Sequence, residues 1–299
     1  MNNYRTPIMA LLVCLSSLSA AAADDMSIIS ATGFGTADPE RFKRAPQAKM
    51  MARRAAKVDA QRNLLEAIDG VRITAGTTVK DMALESDVVG TRVKGIVQGA
   101  FVRNENVYED DGAWVAEVEL GICMNGGSTA CEKKPTLAAL VQPQLPAPSP
   151  ESIYKNTDLV AVANVAGAST EEASPALEEA SDAASVIAAA AAHTGLIVDL
   201  SGKGFSPMLD VRVRTAEGKE LYGPGHVGSG VDWLHWAGSL DGAKSMADIV
   251  GNEPLVIAAT GVGENLEVLV SSEDAVQIFS ANVKAGDFLK SGSVVFVVN

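Results

Sequence analysis

The chain has 299 residues, with 24 lysines and arginines against 37 aspartates and glutamates, and its formal charge is −13. That length suits two modest domains, each able to bury a core of its own. An acidic body argues against nucleic acid as a partner. Aromatic residues make up only 5% of the chain, so a local cluster of rings would stand out.

The first 23 residues have the pattern of a secretory signal peptide. Arg5 precedes a short apolar run over residues 8–15, and small residues follow as far as Ala23. The run is shorter than the ~20 residues that a membrane span needs, so we expect no transmembrane span. The mature protein is expected to be periplasmic, with peripheral association at the outer membrane as an alternative. Lipidation of Cys14 is disfavoured, because Val13 stands where a lipobox has a small residue.

The mature chain then contains two cysteines, Cys123 and Cys131, in the run CMNGGSTAC. In an exported protein such a close pair predicts a disulfide that closes a short loop, and two free thiols are the alternative. The spacing of cysteines and histidines does not indicate zinc.

Positive charge is concentrated between residues 41 and 62, where eight basic residues accompany one acid, Asp59. Arg53, Arg54 and Lys57 lie in this stretch and are candidate partner-binding residues, since an acidic envelope surface or the acidic face of a partner would attract them. The alternative is that they form only the solvated face of a helix.

The same stretch predicts an amphipathic helix over residues 46–69. Pro46 suits the first turn and Gly70 suits the end. Apolar residues recur at steps of three and four and are expected to form the buried face: Ala48, Met51, Ala55, Val58, Leu65 and Ile68.

The remaining pattern up to residue 123 predicts an open sheet. Strands are expected over residues 27–35 and 71–79, and Asp111-Gly112 between the alternating segments 99–108 and 113–122 indicates a hairpin. Residues 81–97 are ambiguous, because Gly90 and Gly95 weaken a helix that the apolar spacing favours. Together these elements predict an α+β fold, an open sheet with one packed amphipathic helix, over residues 24–123.

The order of these motifs resembles a known family. The runs ATGFG, ARRAAKVDAQRNLLEAIDGVRI, TTVKDM and SDVV, followed by GAFV and DDGAWVAEVEL, resemble the Lpp-twenty outer-membrane lipoproteins and the related flagellar assembly proteins P and T. The resemblance covers about residues 27–123. It implies an envelope scaffold or assembly component with envelope or flagellar proteins as partners, and it brings no catalytic motif. It also implies structural roles for Thr77, Thr78 and Asp81.

Composition changes between residues 124 and 193. The proline-rich run VQPQLPAPSPE is typical of an extended spacer, and an acidic, alanine-rich part follows. Within that part Ser174-Pro175 can begin a helix that ends near His193 and Gly195. We therefore expect a flexible linker that contains one helix, with His193 in a structural role at the end of that helix.

Residues 194–299 are expected to form a second domain of mixed α/β type. Strands are predicted in LIVDL, MLDVRVRT, ELYG, PLVIAAT, LEVLVSS and SVVFVVN, with a short helix over residues 273–281. The beginning of this part, with the run TGLIVDLSGKGFSPMLDVRV, is also similar to a region of exported bacterial proteins that carry the first domain. That similarity implies no function.

Motifs that carry chemistry are weak in this second domain. His226, His235 and Asp232 could in principle bind a metal, but their spacing fits no single helical face or tight loop. Ser229 lacks the first glycine of a nucleophile elbow, because Val227 occupies that position. We expect no catalytic residue, no metal and no cofactor.

Tyr222, Trp233 and Trp236 are the candidate ligand-binding residues, because rings beside polar groups can stack on sugars in peptidoglycan or another glycan. A packing cluster is the alternative.

The leading hypothesis is a non-enzymatic envelope scaffold or assembly factor, at the outer membrane or the flagellar motor, which either docks on other proteins or forms a homo-oligomer. The alternative is a periplasmic module that binds a glycan or small molecule through its C-terminal domain.

Overall fold

The structure is a computed structural model that describes residues 26–38, 40–155, 157–159, 161, 191–228 and 230–299. The expected signal peptide, most of the helix expected before His193, and Ser229 lie outside the described residues. The described elements form the α+β architecture that the sequence predicts, with one three-stranded sheet in the N-terminal domain and two four-stranded sheets in the C-terminal domain. Among the described residues, no helix is both long and apolar enough to cross a membrane.

The N-terminal domain is an antiparallel sheet with one long helix across it. In chain order its elements are β1 (Ile28–Ala37), α1 (Ala45–Asp69), α2 (Val79–Glu85), α3 (Asp87–Gln98), β2 (Phe101–Asp110) and β3 (Ala113–Cys123). The sheet order is β1-β3-β2. Asp111 and Gly112 have φ angles of 49° and 77°, the left-handed conformation that a tight Asp-Gly turn requires. The predicted hairpin is therefore confirmed.

Helix α1 packs on β1 with almost no space between the two backbones. A Cβ atom added to Gly33 would lie 2.0 Å from the backbone nitrogen of Ala60, and one added to Gly35 would lie 2.3 Å from that of Ala56. Asp59 and Asn63 hold the edge of β1, because Asp59 Oδ2 accepts the N–H of Phe34 at 3.0 Å. The Asn63 amide donates to the Thr32 carbonyl at 2.8 Å.

This contact corrects the predicted face of α1. Val58 is 59% exposed, and Ala55 is exposed too, while Met51 and Leu65 are only partly buried. The helix faces the sheet with small residues four positions apart, which only the glycines of β1 allow to approach so closely. Its buried residues are Ala48, Ala52, Ala56, Ala60, Leu64 and Ile68.

Residues 71–78 form a tight turn, so the strand predicted over residues 71–79 is wrong. A single bridge joins Arg72 to Thr78, and the chain then enters α2. The Thr78 side chain accepts the N–H of Asp81, and the Asp81 carboxylate accepts the N–H of Thr78. This reciprocal capping box stabilises the start of α2, so the TTVKD run has a local structural role.

The proline-rich part of the expected linker is packed, in contrast to a flexible tether. Leu137, Ala138 and Val141 of α4 (Leu137–Val141) are buried, and the Tyr154 N–H donates to the Glu220 carbonyl at 2.9 Å. Residues 124–155 therefore run along both domains, and we call them the connecting segment. The domains also touch directly, since Leu209 N–H donates to the Arg72 carbonyl at 3.0 Å.

The described part of the C-terminal domain contains two sheets and three helices. In chain order its elements are β4 (Leu196–Asp199), β5 (Val213–Thr215), β6 (Glu220–Tyr222), β7 (His235–Ala237), α5 (Leu240–Ser245), α6 (Ala247–Val250), β8 (Leu255–Ala258), β9 (Gly261–Val262), β10 (Val268–Val270), α7 (Ser272–Lys284) and β11 (Val294–Val297). One sheet is parallel, with the order β7-β11-β4-β8, and the other is mixed, with the order β6-β5-β10-β9. The predicted strands are present, although the one expected from MLDVRVRT is limited to three residues; β7, β9, α5 and α6 were not predicted.

Candidate functional site

The three candidate partner-binding residues lie outside the face of α1 that packs on β1. Arg53, Arg54 and Lys57 are all exposed, and we call these three residues the basic face. Because the opposite side of α1 is fixed against β1, the basic face projects from a helix that has little freedom to shift. The structure thus brings the three sequence-predicted residues together on one surface.

The three residues differ in their local partners. Arg53 Nε lies 2.6 Å from Glu105 Oε1 on β2, with the two side chains 54% and 35% exposed. Such an exposed pair contributes little to stability. Arg54 and Lys57 form no ion pair with any of the residues that the structure describes. They are therefore the members of the basic face whose charge is open to a partner.

A disulfide closes a short loop that follows β3, at the start of the connecting segment. The Sγ atoms of Cys123 and Cys131 are 2.07 Å apart, as the close spacing of the cysteines predicts. Inside this loop Gly126 lies against the carboxylate of Asp232 in the C-terminal domain, since a Cβ atom added to Gly126 would lie 1.9 Å from Asp232 Oδ2. The loop is therefore part of the contact between the domains.

Two titratable groups beside that contact have shifted pKa values. Burial raises the pKa of Asp232 to about 6, although the Gly126 N–H favours the carboxylate. Burial lowers the pKa of His235 to about 4, so this imidazole is neutral near pH 7. His226 lies elsewhere, with Nε2 3.3 Å from Glu220 Oε1. Across the described residues no group of three or more His, Cys, Asp or Glu side chains has an arrangement able to hold a metal ion.

A buried ion network ties the connecting segment to the C-terminal domain. Arg212 is central: its Nε lies 2.7 Å from Asp210 Oδ1, and its Nη1 lies 3.3 Å from Glu220 Oε2. Its Nη2 donates to the Pro146 carbonyl at 2.5 Å. Arg214 continues the network, donating to Glu220 at 2.8 Å and to Glu267 at 3.2 Å.

The electrostatics of this network follow from burial and pairing. The side chain of Glu220 is 0% exposed. Burial alone would raise its pKa, but contacts with His226 and the two arginines outweigh that effect and hold the pKa below the usual value. Burial raises the pKa of Asp210 despite its contact with Arg212. The network therefore depends on the presence of Arg212.

Sequence reasoning missed this network, although a signal for it was present. The run DVRVRT has period two, so Asp210, Arg212 and Arg214 are expected on the same side of an extended segment. Three charged residues on one side, alternating with valines that are buried, indicate paired charges inside the fold. Glu220 is six residues further on, where the strand pairing between β5 and β6 brings it back to Arg214.

The aromatic residues Tyr222, Trp233 and Trp236 do not form a ligand-binding surface, which corrects the prediction made for them. All three are 0% exposed. The ring centroids of Tyr222 and Trp233 are 6.2 Å apart, and those of Trp236 and Phe296 are 5.3 Å apart. The Tyr222 hydroxyl donates to the Trp233 carbonyl at 2.5 Å. They are a packing cluster in the core, where a sugar could not stack on them.

The C-terminal domain has a counterpart among known families. Residues 195–299 match the family model described as Treponema pallidum Tp0624, second domain. The matched region is about a third of the chain and contains both four-stranded sheets, including the strands that carry Arg214 and Glu220. No curated protein matches the chain.

Proposed function

We propose that the protein is a non-enzymatic, exported component of the cell envelope that acts as a scaffold or assembly factor. In this proposal the basic face of α1 docks on an acidic surface of an envelope or flagellar protein. The observation that carries the proposal is that Arg54 and Lys57 are exposed and not ion-paired within the described structure, on a helix held backbone to backbone against β1.

Physical chemistry supports such a surface as a docking site. A charged face on a fixed helix is already ordered before binding, so less conformational entropy is lost on association. Complementary charge speeds the encounter and rejects partners with the same sign of charge. The association should weaken with added salt, because the side chains are exposed and screened.

The edge of β1 is a weaker docking candidate than the basic face. Asp59 and Asn63 already occupy the Phe34 N–H and the Thr32 carbonyl, two of the groups that an added strand would use. Arg54 and Lys57 of the basic face have no ion-pair partner among the described residues.

Charge reversal tests the proposal. Arg54→Glu/Lys57→Glu should fold as the wild type does and should be lost from the envelope fraction after lysis in gentle detergent. Lys80→Glu/Lys94→Glu is the matched control, with the same change of charge at exposed helical positions of the same domain. Arg53 is left unchanged because it pairs with Glu105. Equal envelope recovery of both variants would contradict the proposal.

A comparison of cells with and without flagella tests whether the partner is a flagellar protein. Recovery of the mature protein with basal bodies, lost in cells without flagella, would support a place at the motor. Recovery as a free periplasmic protein in both kinds of cell would contradict the scaffold role.

A further inference from the structure

An apolar groove lies at one end of the N-terminal sheet, and the basic face has no part in it. It runs between α3, the beginning of β2, the end of β3 and the residues around α4, and its volume is about 260 Å³. We call it the α3 groove. Much of its wall comes from four apolar side chains: Ile96, Phe101, Ile122 and Leu140.

A glycine keeps part of the α3 groove open. Gly95 lies inside α3, where glycine is less favourable for a helix than alanine. A Cβ atom added there would meet no atom of the described residues within 4 Å. An alanine would therefore fit and would favour the helix, so the space above Gly95 exists at a cost in helix stability.

Two positive charges lie beside this apolar space. Arg92 donates to the Leu140 carbonyl at 3.3 Å, and Lys134 Nζ lies 4.8 Å from the centroid of the Phe101 ring. None of the described residues that line the α3 groove is acidic. Neither cation forms an ion pair within the part of the chain that the structure describes. In a chain with a formal charge of −13, this combination selects a ligand that is both apolar and anionic.

We propose that the α3 groove binds the alkyl chain of a free fatty acid, whose carboxylate contacts Arg92 and Lys134. An alkyl chain needs no hydrogen-bond partners and is driven into an apolar groove by the loss of water contact. A carboxylate between an arginine and a lysine forms charge-assisted hydrogen bonds.

Other occupants fit the α3 groove less well. A peptide strand would need free backbone partners, but the last residues of β3, which extend past the start of β2 beside the groove, are already bridged, because Cys123 pairs with Thr136. A phospholipid in a membrane brings two chains, whereas the volume is small beside the ~300–1,000 Å³ of a typical ligand pocket. One chain with one charged head is the chemistry that the groove matches.

Titration of the mature, disulfide-bonded chain with monomeric dodecanoate tests the proposal, by calorimetry and by the NMR shift of a ¹³C-labelled carboxylate. Saturable binding at one site is expected. Dodecanol should bind at least about ten-fold more weakly, because even one of the two charge-assisted contacts contributes about that factor. In Arg92→Gln/Lys134→Gln this preference for dodecanoate over dodecanol should disappear.

A second test fills the α3 groove with a larger side chain and measures dodecanoate binding again. Gly95→Leu should weaken dodecanoate binding by about ten-fold, since excluding two methylene groups is worth that much. Gly95→Ala, which also favours the helix, should weaken it less. Gly76→Leu is the matched control, because a Cβ at Gly76 likewise meets no atom within 4 Å and Gly76 does not line the groove. Thermal unfolding verifies that each variant folds.

Three results would overturn the proposal. They are an absence of saturable binding, an unchanged affinity in both Gly95 variants, and binding to vesicles of anionic phospholipid without binding to free dodecanoate. The last result would indicate adsorption to a membrane surface.

Discussion

The carboxylate of Asp232 lies directly against the backbone of Gly126. A Cβ atom added to this glycine would lie 1.9 Å from Asp232 Oδ2 and 3.0 Å from Cγ. Gly126 belongs to the disulfide-closed loop and Asp232 to the C-terminal domain, so this is a contact between domains. A glycine is needed here for space, because any side chain at this position would overlap the carboxylate.

Gly126→Ala should therefore destabilise the contact between the domains. The methyl group must displace the buried carboxylate, and we expect the free energy of unfolding in urea to fall by about 1–3 kcal/mol. Gly76→Ala is the control, since its Cβ would meet open space. Adding Asp232→Ala to Gly126→Ala should remove the clash and leave the two changes non-additive. Strict additivity of the two losses would contradict the contact.

Asp232 and His235 impose opposite pH dependences on stability. Burial raises the pKa of Asp232 from 3.8 to about 6, so the folded protein binds the proton more tightly, and stability falls as pH rises from about 4 to 6. Burial lowers the pKa of His235 from 6.5 to about 4, so the unfolded chain binds that proton more tightly. The contribution of His235 to the free energy of unfolding therefore rises with pH over the same pH range.

Asp232→Asn should isolate the contribution of Asp232. Because the variant lacks the carboxylate whose pKa is raised, its free energy of unfolding relative to wild type should rise between pH 4 and 6.5, by about 2–3 kcal/mol for a shift of some two pKa units. Urea unfolding of both proteins across this range measures the difference, in which the other titrating groups cancel. A difference that does not change with pH would show that the carboxylate of Asp232 is solvated in the folded protein.

Arg212→Met should strongly lower the free energy of unfolding, because Arg212 is the centre of the buried ion network. It leaves Glu220, whose side chain is 0% exposed, and Asp210, whose side chain is 7% exposed, without their central cation. Removing one partner of a buried ion pair typically costs about 3–5 kcal/mol. Unfolding in urea measures the loss, and limited proteolysis should show faster cleavage near Pro146, which loses its bond to Arg212.

A compensating variant distinguishes this effect from lost packing. Adding Glu220→Gln and Asp210→Asn to Arg212→Met removes the uncompensated charges and should recover part of the stability. No recovery would mean that the arginine stem, rather than the charge network, is what the fold needs.

The elements with strong local signals could be predicted from the sequence. The Asp111-Gly112 turn requires left-handed backbone and fixes the β2–β3 hairpin. Pro46 and Gly70 mark the two ends of α1. The two cysteines, only eight positions apart, indicate their own disulfide. Each of these depends on residues close together in sequence.

Features that depend on distant residues could not be predicted in this way. Apolar periodicity favoured Met51 and Val58 for the buried face of α1, but the glycines of β1 select alanine there. The proline-rich run suggested a flexible tether, because composition does not reveal that the Pro146 carbonyl meets Arg212, 66 positions away. Tryptophan content suggested a binding surface, yet Trp233 lies in the core.

The contact between Gly33 and α1 gives the most severe expected substitution. A Cβ at Gly33 would lie 2.0 Å from Ala60 N and 2.4 Å from Ala56 O, which are backbone atoms that cannot rotate away. Gly33→Ala must push the helix off the sheet, so we expect a loss of about 3 kcal/mol or more in unfolding free energy. Ala60→Gly should not restore the lost stability, because the clash is with the backbone.

Phe34→Ala is the control for Gly33→Ala, since Phe34 is 56% exposed and its loss should cost well under ~1.5 kcal/mol. Equal stability of the two single variants would mean that α1 can move away from β1 at little cost, and the basic face would then lose the fixed support on which its docking role depends.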